Sequence, residues 1–184
     1  LVMSIYSLAD MFFVSKLGTD ASAAVGIVFS ILTMIQAVGF MLGIGAGSLI
    51  SRSLGAGNSE EKDSIASVAF FASIIGGFFV LIFGILFKTE VMQFLGATST
   101  ILPYAKDFSH YILIASPIMC ASFVLNILLR TQGKPHLSMI GLAVGGVLNI
   151  ILDPIFIFGL KMGIGGAAVA TLISQSVSFL ILLF

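Results

Sequence analysis

The sequence predicts an all-α membrane protein, a six-transmembrane-helix bundle. Three observations predict it. The 184 residues are 59% hydrophobic and only 9% charged, where soluble domains carry about 25% charged residues, and the mean hydropathy is +1.20. The apolar residues gather into six runs near the ~20 residues that one bilayer crossing needs. The runs lack period-2 alternation and carry Gly and Ala at helical spacing, so they read as helices, which satisfy their own backbone groups in lipid, and not as barrel strands.

The first run extends from Leu1 to about Leu17 and ends at Gly18-Thr19-Asp20. The second, from about Ala21 to Leu54, exceeds one crossing, so it is tilted or projects beyond the membrane. Gly55 to Asp63 is the most polar loop. Asn58 or Ser59 caps the next helix there, and its acidic first turn suits the helix dipole. The third run is about Ser64 to Phe87. Lys88 to Thr100 is mixed and reads as a short interfacial helix. The fourth run, about Ile101 to Leu129, holds Pro117, and a turn over 130–136 follows it. The fifth is about Leu137 to Phe158, Gly159 to Gly163 connects, and the sixth is about Ile164 to Phe184. Residues 18–25 and 163–169 echo one another at the entry of two runs. The chain opens on Leu1 within an apolar run and closes on Phe184, so both ends read as cut and the chain as a fragment of a longer protein.

Charge narrows function by exclusion. The formal net charge is zero, which gives nucleic acid or an acidic partner no basic footprint to bind. The lone Cys120 allows neither a disulfide framework nor a cysteine metal site. Lys and Arg divide four against four between the two sides of an alternating bundle, so the positive-inside rule sets no orientation. Both arginines, Arg52 and Arg130, do fall on one side. His110 and His136 stand isolated.

The carboxylates Asp10 and Asp153 lie within apolar runs, where an ionised side chain costs about 2.5–3.5 kcal/mol on insertion scales. Such groups usually bind ions, relay protons or contact substrate. Asn149 precedes Asp153 by four residues, and Gly145 and Gly141 continue that helix face. Pro154 removes one backbone hydrogen bond and frees the carbonyl of Ile150. A carboxylate, an amide oxygen and a freed carbonyl in one place suit a hard cation or a proton. The plainer alternative is an Asp-Pro turn at the interface. Tyr6 shares the face of Asp10, whose plainer alternative is an interfacial carboxylate near Lys16. Asn126 is a third buried polar candidate, with interhelical hydrogen bonding as its alternative. The stripe Ala167, Thr171, Ser174, Gln175 and Ser178, and a second of Ser30, Thr33 and Gln36, read first as helix packing. Gly43-x-x-x-Gly47 and Gly141-x-x-x-Gly145 permit close helix approach. No nucleophile–base set, phosphate loop or metal-ligand cluster stands out, which disfavours an enzyme and a cofactor.

Several segments together resemble the N-terminal half of a multidrug and toxic compound extrusion (MATE) transporter, in the DinF-like branch. They are Leu8 to Gly18, Gly43 to Ser48, Ser51 to Gly57, Arg130 to Gly133, and above all Asn149 to Ile157 followed by Gly163 to Thr171. The resemblance covers essentially the whole chain. It implies that residues 1–184 are one six-helix lobe of a twelve-helix transporter, with the start of the first helix and the C-terminal lobe absent. It implies a multi-pass protein of the prokaryotic plasma membrane with a cytoplasmic N-terminus, which places the Gly55 and Arg130 loops inside. It implies efflux of organic, often cationic, amphipathic compounds against an inward flow of H+ or Na+. The family's polar cluster falls on Tyr6, Asp10, Asn126, Asn149, Asp153 and Thr171; were the coupling ion sodium and not a proton, Asp10, Asn149 and Asp153 are its candidate ligands. Pro154 and Pro117 are then bending points. The partners implied are small organic substrates, the lipid bilayer and the second lobe of the same transporter. Rival readings are a lipid or polysaccharide flippase of the same superfamily, a non-transporting membrane interaction fragment, and an intramembrane enzyme.

Overall fold

In the computed structural model, which describes residues 10–57 and 59–184, every described element is helical. The chain runs through α1 (10–15), α2 (Thr19–Gly55), α3 (Ser59–Leu86), α4 (Lys88–Phe94), α5 (Leu102–Thr131), α6 (Pro135–Pro154), a π-helical segment (Ile155–Gly159) and α7 (Ile164–Leu183). Five of these are long and apolar enough to cross a membrane, α6 together with its π segment counting as one. The first expected span, Leu1 to Leu17, is described only from residue 10. Tyr6 and the Asn58 and Ser59 capping side chains lie outside the described residues.

Short connections make successive helices reverse direction. One end of the bundle joins Ser53 to Glu61 by a 2.7 Å hydrogen bond and carries the 131–134 turn. The other end brings Lys88, Tyr104 and Met162 to Gly165 around one cavity. The short helix expected after Lys88 is α4, which lies at that second end. α2, with 37 residues, is about 55 Å long against a hydrocarbon core of ~30 Å, so it projects beyond the membrane as its sequence length implies.

α5 is the hub. Its apolar window is 67% buried, against 17% for α3. It packs on α2, α3 and α7, and it supplies Phe108, Ile112, Leu113, Met119 and Cys120 to the core. α3 instead turns Phe71, Ile75 and Phe79 outward, as a lipid-facing helix does. Close approach explains the glycine spacing on α2. A Cβ on Gly39 would lie 2.8 Å from Phe123, on Gly43 2.6 Å from Ile127, and on Gly47 3.0 Å from Thr131. Two stripes of period four thus mesh, which is how small residues glue helices in lipid.

Pro117 interrupts the hydrogen bonds of α5 without ending the helix. The carbonyl it orphans, that of Leu113, accepts the Ser116 hydroxyl at 2.7 Å. The same hydroxyl also reaches the carbonyl of Gly77 on α3 at 2.9 Å. Gly77 is so close to Pro117 that a side chain there would strike the proline backbone. Ser116 and Gly77 therefore clamp α5 at its proline.

The echo between residues 18–25 and 163–169 has a structural counterpart. Gly18 and Gly163 are the N-cap residues of α2 and α7, with φ of 124° and 58°. Only glycine takes such angles without strain. Both helices start at the same end of the bundle, so the shared sequence reports shared helix-entry chemistry.

Candidate functional site: a buried oxygen cluster at the break in α6

α6 reaches Asp153 as a regular helix, and Pro154 then ends it. The chain widens into a π turn, where Leu160 N–H donates to the Ile155 carbonyl at 2.9 Å. Such turns arise where the regular hydrogen-bond ladder is broken, and they concentrate at functional sites. α7 comes directly against this segment. A Cβ on Gly166 would lie 2.7 Å from the Phe156 backbone and 2.9 Å from the Ile157 nitrogen. Glycine at 166 thus lets the first turn of α7 rest on the broken end of α6.

That contact sets Thr171 beside the α6 face of Asn149 and Asp153. Asn149 Nδ2 donates to Asp153 Oδ1 and to Thr171 Oγ1, each at 3.3 Å. Thr171 in turn donates to the Ala167 carbonyl at 3.0 Å. Asp153 is wholly inaccessible and Asn149 is 2% exposed. Asp10, on α1, comes within electrostatic reach of Asp153.

The donors run out before the acceptors do. Asp10 Oδ1, Asn149 Oδ1 and Asp153 Oδ2 are all buried with no hydrogen-bond partner. Buried polar groups are nearly always paired, and leaving one unpaired costs about 1–3 kcal/mol, more when it is charged. The C-terminus of α6 adds the negative end of its dipole. Three free acceptors, two of them carboxylate oxygens, are groups that a proton or a small cation held by oxygen would satisfy. Asp10, Asn149, Asp153 and Thr171 would hold sodium; Asp10 or Asp153 would hold a proton.

Asn126 is not brought to this cluster. Its Nδ2 donates to the Ser138 carbonyl at 3.2 Å, and Arg130 Nε donates to the Ser138 hydroxyl at 2.9 Å. Ser138 is eleven residues before Asn149, or about 16 Å along α6.

Two cavities extend the picture. One, of about 20 Å³, lies between α6 and α7 and is lined by Gly145, Asn149, Thr171, Ser174, Gln175 and Ser178, among others. The α7 stripe that reads as packing in the sequence therefore also faces the cluster. The second, of about 690 Å³, is at the α4 end and gathers Lys88, Tyr104, Asp107, His110 and Tyr111. Burial lowers the Lys88 ammonium below its ordinary value; Asp107 opposes the shift and Lys106 adds to it. His110, isolated in sequence, joins charged neighbours there because α4 and the loop before α7 fold over the start of α5. Sequence proximity gives no sign of that grouping.

Known proteins share this fold. The sequence model of the MatE family matches residues 1–155. The multidrug export protein MepA of Staphylococcus haemolyticus is 32% identical over 179 residues, covering 97% of this chain and 40% of that protein. Among solved structures, MATE in the bent conformation is 35% identical with a TM-score of 0.94, over 98% of this chain and 40% of that chain. MATE in the straight conformation gives 0.92 at the same identity and coverage. The chain spans about two fifths of the length of these relatives. The family model covers more than half of the chain and the matches fall on the N-terminal half of these transporters, so the chain belongs to the MatE family.

Proposed function

We propose that residues 1–184 act as one lobe of a two-lobed secondary transporter, which exports organic, often cationic and amphipathic compounds across the plasma membrane in exchange for H+ or Na+. The observation that carries this reading is the set of unpartnered buried acceptors on Asp10, Asn149 and Asp153. An intramembrane carboxylate is a functional-site hypothesis by default, and the C-terminal end of a broken helix is where many transporters coordinate their coupling ion. The name of the S. haemolyticus relative, a multidrug export protein, supports the drug-efflux part.

The residues divide the work. Asp153 and Asp10 supply charge. Asn149 uses both amide hydrogens to fix Asp153 and Thr171, which leaves its oxygen for the ion. Thr171 sets the distance between α6 and α7. When a cation or proton arrives, the net charge inside the bundle falls, and the π segment after Pro154 is the part of α6 free to change its pitch. Pro117 is held by Ser116 and Gly77, so we assign the bending to Pro154. The 131–134 end faces the cytoplasm in this reading, in line with Arg52 and Arg130 lying on that side. No step calls for an enzyme's nucleophile or for a cofactor.

The test is efflux of a fluorescent organic cation from proteoliposomes holding the two-lobed protein, with proton and sodium gradients imposed separately. The proposal expects efflux under at least one gradient and its loss in Asp153→Asn. Wild-type efflux by that variant, or no gradient-driven movement by a correctly inserted wild type, would overturn it.

A further inference from the structure

The seam between α6 and α7 runs on past the oxygen cluster, toward the 131–134 end. Thr171, Ser174 and Ser178 face it from α7, covering about 10 Å of rise. All three are buried. Their hydroxyl hydrogens are committed: Thr171 to the Ala167 carbonyl, Ser174 to the Ala170 carbonyl at 2.7 Å, and Ser178 across the seam to the Gly141 carbonyl at 2.8 Å. Each oxygen therefore has only lone pairs left to offer.

Asn149, 2% exposed, also lines this space, and its Oδ1 is a fourth acceptor with no partner. The cavity of about 20 Å³ is the size that one water needs, and a buried water needs two to four polar partners. With both Asn149 amide hydrogens spent on Asp153 and Thr171, Gln175 alone among the lining side chains can supply amide hydrogens. A nearly acceptor-only cavity takes a group that donates: a water, or a small cation. Beyond Ser178 the seam is shut. Leu182 packs on Gly141 so closely that a Cβ there would lie 2.6 Å from its side chain, and Gly145 meets Ser178 at 2.9 Å in the same way.

We propose that this seam is the exit route of the coupling cation toward the 131–134 end, with a water in the cavity as the first station and Leu182 as the closure. The proposal rests on the antiport reading above. A sodium ion leaving Asp153 exchanges its carboxylate contact for the water and the Ser174 and Ser178 oxygens. A proton leaves by transfer from the Asp153 carboxyl to the water, giving a carboxylate and a hydronium that the same oxygens accept. In either case the lining offers lone pairs as far as Ser178; the Gly145–Ser178 contact must loosen and Leu182, the last closure, must move.

The test uses the two-lobed protein in proteoliposomes loaded with a pH or sodium dye. Leu182→Ala is expected to leak the coupling ion severalfold faster than wild type when no substrate is present. Ser174→Val is expected to keep the cation-induced carboxyl change in difference infrared spectra while slowing coupled efflux about tenfold, and Ser174→Thr to restore the rate. A Leu182→Ala variant as tight as wild type, or Ser174→Val at the wild-type rate, overturns the route. Loss of the infrared change in Ser174→Val also overturns it, since the hydroxyl would then belong to the binding shell. A wild type without gradient-driven efflux fails the antiport reading itself, whereas a coupled wild type with a tight Leu182→Ala fails only the route.

Discussion

Two polar contacts of α6, one near each of its ends, differ in one respect. Near its start, Asn126 and Arg130 of α5 donate to the Ser138 carbonyl and hydroxyl, so each group on α6 that is buried there meets a donor. Near its end, Asn149 spends its two amide hydrogens on Asp153 and Thr171, and three acceptor oxygens remain without partners. The Asn126 bond and the Asn149 bonds are all buried, and both contacts join neighbouring helices. The first is the satisfied kind that specifies packing; the second is the kind that persists when something absent from the chain itself completes it. Burial and polarity alone do not separate a site from a structural bond. The balance of donors and acceptors does.

The largest effect should come from breaking the unbalanced contact at its charge. Asp153→Asn replaces a free acceptor by an amide that donates, and gradient-driven efflux should fall to background while the protein remains monodisperse by size-exclusion chromatography. A smaller loss is expected from Asn149→Ala. It removes one ligand oxygen and unfixes Asp153, so the apparent affinity for the coupling ion, read from the ion dependence of efflux, should weaken about tenfold or more. Gly166→Ala acts through the backbone. Its methyl would meet Phe156 backbone atoms at 2.7 Å, which cannot yield as a side chain can. It should lower thermal stability in detergent by about 1–3 kcal/mol, whereas Gly45→Ala, with nothing within 4 Å of its Cβ, should be silent. The smallest effect belongs to the balanced contact. Asn126→Ala should cost about 0.6 kcal/mol, as membrane interhelical hydrogen bonds do on average, and leave the ion dependence of efflux unchanged. An Asn126→Ala variant with altered ion dependence would erase the distinction between the two contacts.

Much of this was legible in the sequence for reasons of spacing. Asn149, Asp153, Gly141 and Gly145 are four residues apart, so helical periodicity alone puts them on one face, and Pro154 marks where the helix must break. Spacing says nothing of the form of the break, because a π turn depends on what packs against it, here Gly166 of α7. Asn126 shows the converse limit. An amide in an apolar helix is visible in the sequence, but whether it faces a site or a satisfied bond depends on its height in the bundle, set by the turn at 131–134. The seam residues Ser174, Gln175 and Ser178 were equally visible as a small polar stripe. Their role emerges only when hydroxyl hydrogens are traced to Ala170 and Gly141 and the leftover lone pairs are seen to face Asn149 Oδ1.

The central claim is that the free oxygens on Asp10, Asn149 and Asp153 bind the coupling cation. Difference infrared spectroscopy of the two-lobed protein, titrated in turn with protons and with sodium, reads carboxyl groups directly. The account predicts a cation-dependent carboxyl or carboxylate band that Asp153→Asn abolishes and Asn126→Ala leaves in place. The same band, undiminished in Asp153→Asn, would contradict it.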